Sequence, residues 1–283
     1  MNSPAFDADR LRRLLLSPAG PLARLDVADE VESTNTALAD ELRVAPQSWP
    51  VPGLLLAERQ TAGRGRAGRS WTAPAGTSVT GTLVVRPAVP AASLGWLPLL
   101  AGLGVARALR TATGVRACLK WPNDLVVGGF AECVAGWGTW RKVGGILTEA
   151  VGAEVLIGIG INVAQRPDEL PVPSATSLAL AGAGRAERES VLVAAVVAVV
   201  AAIHRFAAAG GDARACGLAD EVAACCVTLG RTVRVDLPGG GQLVGQASRL
   251  DEVGALVVRD DAGEHPVLAG DVLLVRSSPR STV

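Results

Sequence analysis

Along this chain, apolar and polar positions fall into stretches whose periods assign most of the elements. Leucines at helical spacing over residues 7–16 predict a short first helix. Ser33 or Thr34 supplies the N-cap of an amphipathic helix just after it. Residues 53–58 and 78–86, dense in Leu, Val and Thr, read as strands. Ser93 caps a long apolar helix that runs to about Thr113 and stops at Gly114. Short apolar runs at 117–119 and 124–127 flank a corner, Lys120-Trp-Pro-Asn123, in which proline holds Trp121 extended. Residues 143–150 and 154–162 predict two more strands around a turn at Gly152, and 187–209 a long helix with an apolar face wide enough for full burial.

The texture changes after Gly210-Gly211. From about Val227 the chain breaks into short apolar runs at 232–236, 242–249, 255–259, 265–268 and 271–275, separated by glycine-containing turns. That spacing predicts a small β-barrel. The division expected is therefore a larger domain over 1–225 and a smaller one over 226–283, with no internal repeat.

Composition narrows the function classes. Of 283 residues 49% are hydrophobic, as in a folded globular protein. The formal net charge is +0, with 27 residues of each sign, which speaks against bulk electrostatic binding of nucleic acid or membrane. The N-terminal stretch is acidic where a signal peptide is basic, and the longest apolar run, 191–203, is shorter than a bilayer span. Five cysteines form no C-x-x-C pair and there are two histidines, so no structural metal site is expected and a cytoplasmic location is. Only two of the 27 cations are lysines, Lys120 and Lys142, close together in apolar surroundings. A chain that uses arginine elsewhere has kept a compact ammonium at two places where a planar fork would not serve.

Chemistry concentrates in a few segments. Gln60-Thr-Ala-Gly63-Arg64-Gly-Arg66-Ala-Gly-Arg69-Ser-Trp71 leaves a predicted strand and interleaves glycines with guanidinium forks, a cradle for a carboxylate or phosphate. A flexible surface loop is the plainer reading. Lys120-Trp-Pro-Asn123-Asp124 sets a cation, an amide and a carboxylate on one turn, suited to an amine nucleophile or to Mg²⁺ near a triphosphate, or to a structural turn alone. In Gly158-Ile-Gly-Ile161-Asn162 the glycines leave room for a ligand against the strand, and Asn162 offers the donor and acceptor of an adenine edge; a glycine-bearing core strand is the alternative. Ser33-Thr34-Asn35 is a helix cap that also directs hydroxyls toward a neutral polar ligand. His204 reads as a core or boundary histidine, and Cys225-Cys226 as small buried residues near the domain junction.

Taken in order, Ser33-Thr-Asn35, the Gln60–Trp71 loop, Lys120–Asp124, Lys142-Val-Gly-Gly145-Ile-Leu147 and Gly158–Asn162 resemble the motif set of the biotin–protein ligases over residues 28–275. The resemblance implies an α/β (α+β) fold, a mixed sheet with flanking helices like that of the class II synthetase-like biotin and lipoate ligases, and a C-terminal SH3-like barrel. It implies ATP with Mg²⁺, activation of biotin as biotinoyl-5′-AMP, and transfer to a lysine of a biotin carboxyl carrier domain of an acyl-CoA or pyruvate carboxylase. It assigns Ser33, Thr34, Asn35, Gln60, Gly63, Arg64, Arg66, Trp71, Lys142, Gly145, Gly158 and Ile161 to biotin. Arg64, Arg66, Arg69, Trp71, Lys120, Asn123, Lys142 and Asn162 fall to ATP or the adenylate, and Arg66, Lys142 and Asp124 to catalysis.

Three departures stand out. Residues 125–141 are longer than the family usually has and look like an inserted surface loop with two tryptophans. Thr36 stands where the family often has glutamine. About 30 residues precede Ser33, fewer than the winged-helix domain of the repressor forms requires, so an enzyme-only form, monomeric or homodimeric, is expected. The rivals are a lipoate- or octanoate-transferring enzyme, a nucleic-acid-binding module built on the Gly/Arg loop, and an inactive homologue that sequesters biotin or a carrier.

Overall fold

The computed structural model describes residues 5–184 and 186–275 and opens on helix α1 (Ala8–Leu15), capped by Asp7, whose carboxylate accepts from the Arg10 N–H. Strand β1 (Arg24–Val31) follows, a strand the sequence pattern hid. It carries three acids and an arginine, and it tolerates them because it is the sheet's edge, paired in parallel with β2 (Gly53–Gln60) alone. Between them lies α2 (Thr34–Val44). Ser33 is its cap and accepts from the Thr36 N–H.

β3 (Ser78–Val85) is buried along its whole length. The helix expected to start at Ser93 starts later. Residues Ala91–Trp96 form a 3₁₀ turn, Ser93 makes no side-chain cap, and α3 (Leu97–Thr113) begins with Pro98 in its first turn, ending on Gly114 at φ 74°. An antiparallel meander follows: β4 (Ala117–Lys120), β5 (Asp124–Val127), β6 (Arg141–Val151) and β7 (Glu154–Asn162). The seven-stranded mixed sheet has the order β1-β2-β3-β7-β6-β5-β4.

The sheet's two faces are covered differently, and that difference makes the site. On one face α3 and α4 (Arg188–Ala208) pack on each other and over Leu54, Leu56, Leu83, Ile157, Ile159 and Ile161. On the other, α2 lays Leu38 and Leu42 over Leu55, Val84 and Leu156 only. Farther along the same strands that second face turns small and polar: Thr82 and Thr80 on β3, Gly158, Gly160 and Asn162 on β7. Among the described residues only the first turn of α2, with Thr34 and Asn35, reaches over it there.

α4 departs from expectation. It buries one face, while Val197 is 46% exposed and His204 lies on the exposed side, not in the core. Ala91–Thr113 and Arg188–Ala208 are long and apolar enough to span a membrane, unlike the short apolar runs read from sequence, but here they lie against each other and the sheet.

α5 (Leu218–Cys225), also unforeseen, leads to the junction, where Cys226 is buried and Cys225 partly so. There Cys226 bridges Leu119 in parallel and the Val227 N–H donates to the Leu119 carbonyl. The second unit comprises β8 (Thr232–Asp236), β9 (Gln242–Leu250), β10 (Leu256–Asp260), β11 (Gly263–Val267) and β12 (Asp271–Leu274). Its antiparallel sheet runs β11-β10-β9-β8-β12. The β-rich unit expected at the C-terminus is present as five antiparallel strands in this order. Two buried indoles dock it: Trp96 donates to the Glu252 carbonyl (2.9 Å) and Trp121 to that of Gly254 (3.2 Å). The Trp121–Pro122 bond at this seam is cis.

An ion pair ties the start of α4 to β2. Arg188, with its side chain 3% exposed, donates to Glu58 (2.8 Å), stacks over the Phe6 ring at 3.9 Å, and leaves Nε and Nη1 without partners among the described residues. Burial lowers its pKa, and the Glu58 charge opposes that. Glu58→Gln would strand a buried guanidinium and should cost about 3 kcal/mol in a urea titration, whereas Glu58→Leu with Arg188→Met should recover most of it.

Candidate active site

The Gly/Arg segment is a hairpin, not a loose loop. The Trp71 N–H donates to Gly63 O (2.8 Å) and that of Gly65 to Arg69 O (2.7 Å). At the tip Ala67 and Gly68 take φ of 53° and 72°. Gly63 closes the base, since a Cβ there would collide with the Trp71 carbonyl; it does not reach the cavity as expected. The three arginines are sent three ways. Arg64 pairs with Glu149 on β6 (3.1 Å) and reaches Thr36. Arg69 grips Asp271 on β12 with both prongs (2.8 and 3.1 Å). Arg66 turns inward, half-buried, toward Asn123 Oδ1 at 3.5 Å. Its burial lowers its pKa, with Asp271 and Asp124 pulling the other way.

The cavity, about 680 Å³, lies on the uncovered face, and strand register orders its floor. One row is Thr82, Gly158 and Leu147; the next is Thr80, Gly160, Gly145 and Asp124; Ser78 and Asn162 come third. Over the first row sits a neutral network. Gln60 Oε1 accepts from the Thr34 N–H (2.8 Å) and hydroxyl (3.1 Å). Thr82 Oγ1 contacts Thr34 Oγ1 (2.7 Å) and donates to Asn35 Oδ1 (2.6 Å), whose Nδ2 donates to Glu149 (2.7 Å). Over the second row stands the Trp71 indole. The two glycines are explained by these neighbours: a Cβ at Gly158 would collide with the Asn35 amide oxygen, and one at Gly160 would lie 2.6 Å from the Trp71 ring. Room expected for a ligand is in part room for the residues that hold it.

The charged end is built by a bulge. Between β5 and β6 the register shifts so that Leu125 faces Gly144 but Val126 faces Lys142, with Val143 skipped. A bulge re-aims a side chain, and Lys142 Nζ reaches Asp124 at 2.5 Å. The backbone of Lys142 also exchanges hydrogen bonds with Ser174 and Thr176, which walls the cavity with the 171–175 segment. Lys120 is 4% exposed, lies behind Asp124 at 3.9 Å rather than on the cavity, and donates to Val272 O on β12 (2.5 Å). Burial lowers its pKa, partly offset by Asp124. For Asp124 burial pushes upward, but the two ammonium groups outweigh it and hold the carboxyl below its ordinary range.

Of the residues singled out from sequence, all line this cavity except Gly63, Lys120 and Ile161. Ile161 faces the opposite side of β7 and is fully buried in the core, which corrects its placement against biotin. Asn162 lines the third row with one N–H given to Thr176 O and its oxygen taking a bond from Gln165, which leaves one donor and one lone pair free. Sequence reasoning missed Thr82, Glu149 and Gln165. Thr82 could have been found from alternation on an otherwise apolar strand; the others carry no local signal.

Residues 27–165 match the biotin/lipoate A/B protein ligase family and residues 228–275 the biotin protein ligase C-terminal domain. The chain is 36% identical to a biotin–[acetyl-CoA-carboxylase] ligase of Mycobacterium tuberculosis, over 96% of this chain and 97% of that protein. To the bifunctional ligase/repressor BirA of Escherichia coli it is 29% identical, over 92% and 78%. The fold matches the biotin protein ligase of Aquifex aeolicus solved with biotin and ATP, with TM-score 0.72 and 28% identity over 90% of this chain and all of that one. The five ordered motifs, the sheet and this likeness over nearly its full length agree: the chain belongs to the biotin protein ligases.

Proposed function

We propose that the protein is an ATP-dependent biotin–protein ligase, making biotinoyl-5′-AMP and passing it to one lysine of a biotin carboxyl carrier domain of an acyl-CoA or pyruvate carboxylase. One observation carries this: the order of chemistry along the floor, neutral network, then indole, then Asp124 with both lysines of the chain. A ureido ring needs the mixed donors and acceptors of Thr34, Asn35 and Gln60. Its hydrocarbon tail lies under Trp71, and its carboxylate meets Lys142 and Arg66. An octanoate or lipoate chain would leave the neutral network unpaired, at a cost typical of buried polar groups. Balanced charge supports a small-molecule site over a nucleic-acid surface.

In the first step a biotin carboxylate oxygen attacks the α-phosphorus of ATP, the bond from that phosphorus to the bridging oxygen breaks, and pyrophosphate leaves. Both reactants are anions, so fixed cations in a dry pocket lower the barrier most. Lys142 and Arg66 supply them. Among the described residues no three-donor metal cluster exists, and Asp124 is the one carboxylate lining the cavity. That suits Mg²⁺ carried by the phosphates, with Asp124 at most an added ligand, where it would offset the triphosphate's charge. Asn162 has the free donor and acceptor for adenine, while Arg64 and Arg69 fix the hairpin to β6 and β12, Asn123 meets Arg66, and Lys120 stands behind Asp124. In the second step the carrier lysine's amine attacks the acyl carbon, the bond from that carbon to the bridging oxygen breaks, AMP departs with that oxygen, and the amine's proton passes to Asp124. Asp124 orients that amine. Its basicity rises as Lys142 turns toward the phosphate and gives up their pairing. The Trp71 hairpin shields the anhydride from water. The unpaired thiols of the chain fit a cytoplasmic enzyme.

Incubation with biotin, MgATP and a carrier domain should put one biotin on one carrier lysine and release AMP and pyrophosphate; labelling by octanoate or lipoate in preference would overturn the reading. Asp124→Asn removes the counter-ion that two ammonium groups share. The lowered pKa of Lys120 should fall further, so the alkaline limb of the pH–rate profile should move to lower pH. Gly160→Ala should push the indole off the floor and raise the KM for biotin about tenfold, while the melting temperature stays near that of the parent.

A further inference from the structure

The 128–140 segment is a built element. Arg141, buried at its root, donates to the carbonyls of Glu132, Gly138 and Trp140 and lies 5.2 Å from the Phe130 ring. Trp140 seals the base, so near Gly128 that a Cβ there would come within 2.8 Å of its ring. The tip reaches the second unit. Gly136 O accepts from the Leu274 N–H (2.9 Å), and at φ 73° a Cβ on Gly136 would come within 2.5 Å of Leu273. So held, Trp137 lines the cavity with its ring centroid 4.4 Å from the Lys120 ammonium.

Two lysines share one cavity carboxylate. Asp124 is taken by Lys142, and Lys120 stands off at 3.9 Å between a backbone carbonyl of β12 and an indole face. A π-face attracts a desolvated cation without being a second carboxylate that would compete for Lys142. We propose that Trp137 is a positioning residue of the ligation reaction. It holds Lys120 toward β12 and off Asp124, which keeps Asp124 available to Lys142 and to the incoming amine. This rests on the reading of the reaction given above.

The test is biotin-dependent exchange of pyrophosphate into ATP, together with transfer to a carrier domain, in Trp137→Leu, Trp137→Phe and Gly136→Ala, with and without Lys120→Met. Trp137→Leu should lower kcat in both assays about tenfold with little change in the KM for biotin. Trp137→Phe, which keeps a π-face, should retain most of the activity. Gly136→Ala, which pushes the tip off β12, should resemble the leucine variant. On Lys120→Met the leucine change should have no further effect. Equal losses in the leucine and phenylalanine variants, or an undiminished loss on Lys120→Met, would overturn the proposal. Should Trp137→Leu not fold, the phenylalanine and Gly136→Ala variants carry the same comparison. A parent protein that exchanges no pyrophosphate with biotin present would instead overturn the reaction itself.

Discussion

One carboxylate between two ammonium groups sets the geometry of the rest. Asp124 sits at a strand start, with Lys142 brought to it by a bulge on the neighbouring strand and Lys120 by the turn that precedes it. Buried charges survive only when paired, and here the pairing is deliberately uneven: three groups carry a net charge of +1 before any substrate arrives. An incoming carboxylate and phosphate complete the balance. The site is therefore poised for anions by a charge that Asp124 alone does not neutralise.

The face of the sheet supplies the remainder by omission. α2 is only long enough to cover one end, and the strands continue past it with Thr, Gly and Asn in place of Leu and Val. Glycine in a strand weakens it, so Gly158 and Gly160 are retained for contact: they let Asn35 and the Trp71 ring approach the backbone. β7 carries aliphatic side chains on its other face, which is why Ile157, Ile159 and Ile161 pack beneath the helices.

Much of this was legible in the sequence, for physical reasons that also explain the failures. Strands with apolar runs, such as residues 78–85, and the motif residues at turns announce themselves through local composition. β1 did not, because an edge strand can carry Arg24, Asp26, Asp29 and Glu30 without cost, which erases the pattern. The start of α3 was misplaced because Pro98 can open a helix without a side-chain cap. The resemblance places Ile161 against biotin, but parity along the strand turns its side chain to the helix-covered face. Glu149 and Asp271 carry no local signal because each acts on a partner distant in sequence.

Those distant partners change the standing of the second unit. Val272 O holds Lys120, Asp271 holds the Arg69 fork of the hairpin, and Leu273 and Leu274 seat the tip that carries Trp137. Three successive contacts of one edge strand thus reach the cation behind the carboxylate, the loop over the cavity and the inserted wall beside it. Exposed ion pairs such as Arg69–Asp271 are worth little alone; a buried ammonium given a carbonyl and a π-face is worth more, because the alternative is desolvation without compensation. The weight of the connection therefore lies on Lys120, and β12 supports the candidate site from behind, with none of its own residues among those lining the cavity.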